Sequence, residues 1–247
     1  MCGASGNLGG HVARHLARCG SDLVLWGRNA AALEALAAEC RVASGTTVST
    51  CSIDIADVAA ALAVLRQADN KTPFDCAFFI SGAGDTREAG RRFESAELVL
   101  KLGLVNYVAP SALAAELGER MAARGGGRII LVGSAAASHP LPFAAAYSSS
   151  KSGLSLFAES LRIALKRHGV RVTLASPGFF APAPGDAHTY ARPGEISAEH
   201  VAERIIKAAA AGKSEVVTPR WFVGLRWLGQ MLPRALRDRL LQSLPIP

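Results

Sequence analysis

The chain has no pairable set of cysteines. Its five (Cys2, Cys19, Cys40, Cys51 and Cys76) are odd in number, scattered, and never spaced Cys-x-x-Cys. Neither a disulfide framework nor a zinc site is indicated, no metal is expected, and a reducing, cytoplasmic setting is. Aromatic residues are scarce, at 6%. A net charge of +7 could serve nucleic acid, anionic lipid or a phosphorylated cofactor, but no basic cluster carries the interleaved aromatics that a nucleic-acid groove needs. That charge comes from 21 arginines against only six lysines. No uninterrupted apolar stretch reads as long enough to span a bilayer, and the opening residues do not read as a secretory signal. Low-complexity tracts and internal linkers are also missing, so residues 1–247 read as one domain.

What is present is a repeating alternation. Half the residues are apolar and only 19% are charged, which suits a well-filled core. Short apolar runs at 23–26, 47–51, 76–80, 128–132, 170–175 and 215–217 read as strands. Amphipathic segments at 8–19, 30–40, 58–68, 96–123, 147–168 and 198–211 read as helices. That order predicts an α/β fold, a Rossmann-like doubly wound parallel sheet with helices on both faces. One piece is absent at the front. A Gly-rich phosphate loop needs a strand feeding it, and only Met1 and Cys2 precede Gly3. A missing or shortened first strand is therefore expected, with a start lying upstream or a shortened chain as its explanation.

Three groups of residues carry chemistry. The first is Gly3-Ala4-Ser5-Gly6-Asn7-Leu8-Gly9, whose glycines let the backbone approach a pyrophosphate at a helix N-terminus. The second ends the strand at 23–26. No carboxylate stands at Gly27 to take a ribose 2′-hydroxyl, while Arg28 offers a planar cation to a 2′-phosphate. Asp22 lies at the other end of that strand. NADP(H) is thus expected over NAD(H). The third group is Ser134, Tyr147 and Lys151. Tyr-x-x-x-Lys puts both side chains on one helix face, where an ammonium favours the phenolate of a group that is otherwise a poor base at neutral pH. Ser134 follows a strand and can point at the same place.

With these motifs the sequence resembles the classical short-chain dehydrogenase/reductase family, whose serine precedes its tyrosine by the same interval. The resemblance covers most of the chain and is anchored between Gly3 and Gly178. It implies hydride transfer between a nicotinamide and a carbinol or carbonyl carbon, with Tyr147 as acid or base and Ser134 orienting the substrate oxygen. By the same resemblance Asn106 supports a proton-relay water beside Lys151, and Lys151 also holds the nicotinamide ribose. Asp54, with Ile55 beside it, corresponds to the adenine-contacting aspartate, and Pro177-Gly178 to the turn lining the nicotinamide. Two departures stand out. The family's Asn-Asn-Ala-Gly is here Phe79-Ile80-Ser81-Gly82, keeping only the small pair, and Pro182 replaces a threonine. Where the family's loop has its middle glycine, this chain has Asn7, expected either to take left-handed backbone geometry itself or to shift the turn to Gly6.

Residues 179–200 are expected to form a substrate lid, with His188 and Tyr190 as candidate contacts. Residues 219–247 mix tryptophan and leucine with arginine, as an amphipathic basic segment does. It could pack over the substrate pocket or a subunit interface, or touch a membrane surface. An apolar small-molecule substrate fits each of these. The resemblance further implies a homodimer or homotetramer through the two long helices. Rival readings are a catalytically impaired NADP-binding or interaction protein, a membrane-surface lipid-carbonyl reductase, and an epimerase or dehydratase using the same dyad.

Overall fold

A computed structural model describes residues 1–84, 90–181 and 194–243. Each expected apolar run forms a strand: β1 (Leu23–Gly27), β2 (Val48–Ser52), β3 (Cys76–Phe79), β4 (Gly127–Val132), β5 (Val170–Pro177) and β6 (Glu215–Thr218). All pairings between these strands are parallel, β1 with β2, and β3-β4-β5-β6 in that order. The helices are α1 (Asn7–Arg18), α2 (Ala30–Ser44), α3 (Val58–Lys71), α4 (Ala96–Gly103), α5 (Ala109–Ala123), α6 (Ala145–Leu165), α7 (Ala198–Ala210), α8 (Trp221–Met231) and α9 (Arg234–Gln242).

The alternation along the strands explains the layering. Ile129 and Leu131 of β4 face a core with Leu65 of α3, Leu113, Leu117 and Met121 of α5, and Leu154 of α6. Ile130 and Val132 face the opposite side, with Val12 of α1 and Val201 and Ile205 of α7. A stretch buried on both faces must be apolar at every position, and Ile129–Val132 of β4 is, while Gly127 and Arg128 at its start are not buried.

Between β1 and β3 lies the shortened strand the sequence leads one to expect. The two do not pair with each other among the described residues, and residues 1–4 join them. Cys2 N–H donates to the Phe78 carbonyl (2.8 Å), and its own carbonyl accepts from Ile80 N–H (3.0 Å). On the other side Trp26 N–H donates to the Met1 carbonyl and Gly3 N–H to the Trp26 carbonyl. A full central strand is thus reduced to single parallel bridges at Cys2. Cys2 is buried there, and burial pushes its thiol up to about 11, so it behaves as a small neutral hydrophobe.

Four helix starts follow the capping rule. Asn29, Asp57, Ser95 and Ser197 each accept a backbone N–H from the first turn of the helix they precede. α1 is not capped in this way, with Gly6 before it, no capping side chain and no acid in its first turn. Its N-terminal N–H groups and positive dipole end are left for something else.

The segment at 96–123 departs from expectation twice. It is not one α-helix: residues Leu104–Val108 form a π-turn between α4 and α5. It is also long and apolar enough to cross a membrane by length and composition, with a mean hydropathy of 1.5 over its most apolar window. Leu102, Leu113, Leu117 and Met121 are fully buried in it, which is how a core helix against a sheet is built.

Candidate active site

The glycine loop turns at Gly3, which has φ of +82°, rather than at Asn7 or Gly6. Asn7 is the first residue of α1, Gly6 has φ of −78°, and no described non-glycine residue has positive φ. The expectation of left-handed geometry at Asn7 is therefore corrected. The carbonyl of Gly3 packs so tightly on α1 that a Cβ at Gly9 would lie 2.0 Å from it. Two glycines together let the loop fold onto its helix, so position 7 is free to be asparagine. The Asn7 amide instead donates to the Ala181 carbonyl (2.8 Å), tying the loop to the base of residues 179–200.

Ser5 is exposed in that loop and lies against the end of β1. A Cβ at Gly27 would come within 2.7 Å of its hydroxyl oxygen. An acidic side chain at position 27 would meet Ser5, and the next residue, Arg28, is exposed. Asp22 accepts from Thr47 N–H at the opposite end of the strand, away from this edge. Asp54 closes a turn after β2 by accepting from Ala56 N–H, and Ile55 behind it is buried.

The polar residues of α6 and the π-turn meet over the end of β3. Lys151 Nζ lies 3.1 Å, and Asn106 Oδ1 3.3 Å, from where a Cβ of Gly82 would sit. Tyr147 approaches the same segment, its ring 3.9 Å from the corresponding position at Gly84. Lys151 is buried and donates to the Val132 carbonyl at the end of β4 (2.9 Å), two residues before Ser134. Burial lowers its ammonium from 10.5 to about 8. Ser134 accepts from Ala136 N–H (3.1 Å), which leaves its hydroxyl proton free to be donated. Ser81 and Gly82 continue β3 into this floor, and Pro177-Gly178 end β5 on the same edge of the sheet.

Asn106 is fully buried and its amide is spent on the fold. Oδ1 accepts from Ala83 N–H (2.8 Å), while Nδ2 donates to the Ala83 carbonyl (2.9 Å) and to Ser150 Oγ (3.2 Å). Ser150 in turn donates to the Tyr147 carbonyl (2.8 Å). A proline follows the π-turn, inside the first turn of α5. Pro110 has no N–H to offer the Asn106 carbonyl four residues earlier, so the regular ladder cannot continue there.

Glu94 is a residue that motif reading misses. It is buried before α4, and one carboxylate oxygen accepts from Ala146 N–H (2.8 Å) at the start of α6, beside Tyr147. Its other oxygen is buried without a hydrogen-bond partner among the described residues. A glutamate pairing with a helix start 52 positions away leaves no local signal. Pro182, His188 and Tyr190 lie outside the described residues. The ends of their segment are held together, since Ala181 N–H donates to the Ile196 carbonyl and Ile196 N–H to that of Phe179.

Residues 1–190 match the family described as short chain dehydrogenase. The chain belongs to that family. It is similar to an uncharacterized oxidoreductase of Myxococcus xanthus, 31% identical over 96% of this chain and 93% of that one. A dehydrogenase/reductase SDR family member 7B of Bos taurus is 30% identical over 88% of this chain and 71% of its own length. Among solved structures, a short-chain dehydrogenase from Sphingobium yanoikuyae in complex with NADPH superposes with a TM-score of 0.80 at 25% identity, covering 99% of this chain and 95% of that one. A bulky-bulky ketone specific alcohol dehydrogenase from Comamonas testosteroni has the same TM-score at 21% identity, covering 99% and 93%, and so shares the fold. The protein is an α/β oxidoreductase of the short-chain dehydrogenase family with a Rossmann-like parallel sheet.

Proposed function

We propose that the chain is an NADP(H)-dependent enzyme that interconverts a carbonyl and an alcohol, with Tyr147 as its acid and base. The observation that carries this reading is the convergence of Lys151 Nζ and Asn106 Oδ1 over Gly82, with the Tyr147 ring over neighbouring Gly84. A binding module has no use for a buried ammonium beside a phenol.

The residues fit a dinucleotide. Gly3, Ser5, Gly6, Asn7, Leu8 and Gly9 would hold the pyrophosphate at the uncapped start of α1, with Asp54 and Ile55 at the adenine. Arg28 and Ser5 would take the 2′-phosphate, a cation and a hydroxyl at the end of β1, where position 27 carries no acid. Ser81, Gly82, Pro177 and Gly178 would line the nicotinamide, and Tyr147 and Lys151 its ribose. The bound nicotinamide supplies or accepts the hydride. The chain's own groups handle the proton. In reduction the Tyr147 hydroxyl donates to the developing alkoxide, and in oxidation its phenolate takes the proton of the alcohol. Ser134 donates a hydrogen bond to the same oxygen. Lys151, cationic at neutral pH even after its burial-driven fall to about 8, favours the phenolate. Asn106 contributes by position: its side chain fixes Ala83 and Ser150 beside Lys151, where it would support a relay water.

The similar short-chain dehydrogenase in complex with NADPH supports the cofactor assignment. Residues 1–247 are read as one domain, with 179–200 as lid. Apolar side chains exposed along the two long helices (Leu100, Tyr107, Val108, Leu156 and Ile163) support a homodimer or homotetramer. We place the protein in the cytoplasm. The test is NADPH oxidation across aldehydes, ketones and lipid-like carbonyls with the wild type and Tyr147→Phe. Turnover that vanishes in the variant while NADPH still binds is the expected result. Undiminished turnover in the variant refutes the assignment, and NADPH binding with no turnover on any carbonyl favours the binding-protein reading.

A further inference from the structure

The outer face of α8 is apolar at every described side chain. Among the described side chains, Trp221, Gly224, Leu225, Trp227, Leu228 and Met231 are its exposed residues, with Trp227 at 60%, Leu228 at 54% and Met231 at 79% accessibility. At 3.6 residues per turn they occupy one side of the helix. The opposite side, Phe222, Val223, Arg226 and Gly229, is half-buried. Arg226, the one charged residue within α8, points inward and pairs with Glu215 (2.7 Å). A helix of a soluble protein normally turns its charged side to water, and α8 does the reverse.

Arginines frame this face. Arg220 precedes Gly224 and Trp227 by four and seven residues, so it heads the same stripe. Arg234 and Arg239 of α9 are exposed, as are Leu236 and Leu240 of that helix, and α9 has no buried residue. Arg220, Arg234 and Arg239 make no ion pair among the described residues, and Asp238, in contact with Arg237, is the one acid from 220 to 243.

We propose that α8 and α9 dock the protein on an anionic lipid surface, with Trp227, Leu228 and Met231 in the acyl boundary and Arg220, Arg234 and Arg239 on the headgroup phosphates. Charge decides between this occupant and a second copy of the chain. A two-fold contact through α8 would gather the same arginines on both sides of one interface with almost no acid to meet them. An anionic bilayer supplies the missing charge and accepts the apolar stripe together. The surface also adjoins the site. Phe222, on the inner side of α8, stacks on Trp221 (3.9 Å between ring centroids) and lies so close to Gly178 that a Cβ there would be 2.1 Å from its ring. The docking proposal stands independently of the oxidoreductase reading.

Co-sedimentation of the full chain with phosphatidylcholine vesicles, with and without phosphatidylglycerol, tests it. Binding should require phosphatidylglycerol and weaken with salt. An arginine near such a surface contributes about fivefold to partitioning, so Arg220→Gln/Arg234→Gln/Arg239→Gln should lose on the order of a hundredfold. Leu228→Glu/Met231→Glu should lose at least about tenfold while still turning over a water-soluble aldehyde, which separates docking from catalysis. No binding by the wild type, equal binding to both vesicles, or undiminished binding by both variants overturns the proposal. So does a drop in oligomeric mass in Leu228→Glu/Met231→Glu, which would make the occupant a second copy. Loss of soluble-substrate turnover in that variant would make the face part of the fold, with the same consequence.

Discussion

Replacing Lys151 by methionine should stabilise the cofactor-free protein while removing its activity. The Lys151 ammonium is buried, donates one hydrogen bond to the Val132 carbonyl, and faces no carboxylate among its described hydrogen-bond and ion-pair partners. Burial lowers it from 10.5 to about 8, equivalent to about 3 kcal/mol against the charged form. Methionine fills a similar volume without charge, and leaving the Val132 carbonyl unpaired costs about 1 kcal/mol. The expected net gain is about 2 kcal/mol at pH 7. Its pH dependence has a definite sign. Between about 8 and 10.5 the unfolded wild type holds a proton that the native state has released, so wild-type stability rises with pH through that window. The advantage of Lys151→Met should therefore be largest below pH 8 and shrink towards pH 10.5. Urea unfolding of both proteins, followed by far-ultraviolet circular dichroism without cofactor at pH 7 and pH 10, measures it. A variant less stable than wild type at pH 7, or a difference that ignores pH, refutes the argument.

Four further outcomes are expected. Tyr147→Phe should lower kcat by about three orders of magnitude or more and leave the Kd for NADPH, measured by fluorescence titration, within about twofold. Asn106→Ala strips the partners of the Ala83 peptide and Ser150, so it should cost about 3 kcal/mol in urea unfolding as well as activity. Arg28→Ala should weaken NADPH binding by about tenfold or more with little change for NADH, because only the 2′-phosphate distinguishes the two. Burial opposes the Asp69 carboxylate, but the Phe74 N–H and the guanidinium groups of Arg124 and Arg120 outweigh it and hold its pKa below the ordinary value. That stabilisation is complete above an unfolded pKa near 4 and is lost as pH falls through the lower native value. Asp69→Asn should accordingly flatten the acid-unfolding profile below about pH 4, monitored by circular dichroism.

Much of this molecule is legible in its sequence because its signals are local. Stretches buried on both faces are mostly apolar, and the apolar runs in β4 and β5 place both strands within one or two residues. Tyr147, Lys151 and Ser134 are readable because helical spacing and a strand end fix where they point. The π-turn is harder to see. Pro110 warns that the ladder breaks, but whether the helix kinks, ends or widens depends on Ala83 and Ser150, which lie far away in sequence and hold Asn106 in place. The same holds for Glu94 and Ala146.

Asn7 shows the opposite error, a local rule applied where tertiary packing had removed the need for it. A residue replacing glycine suggests left-handed geometry only if the turn stays where it was. Here the turn sits at Gly3, because the Gly3 carbonyl packs into space that Gly9 leaves empty. Position 7 becomes the first residue of a helix, and its amide reaches Ala181 instead. The cofactor end of the site is thereby coupled to residues 179–200 by a side chain that glycine could not supply. Sequence reading located this departure correctly, and its physical meaning lay in a contact 174 residues away.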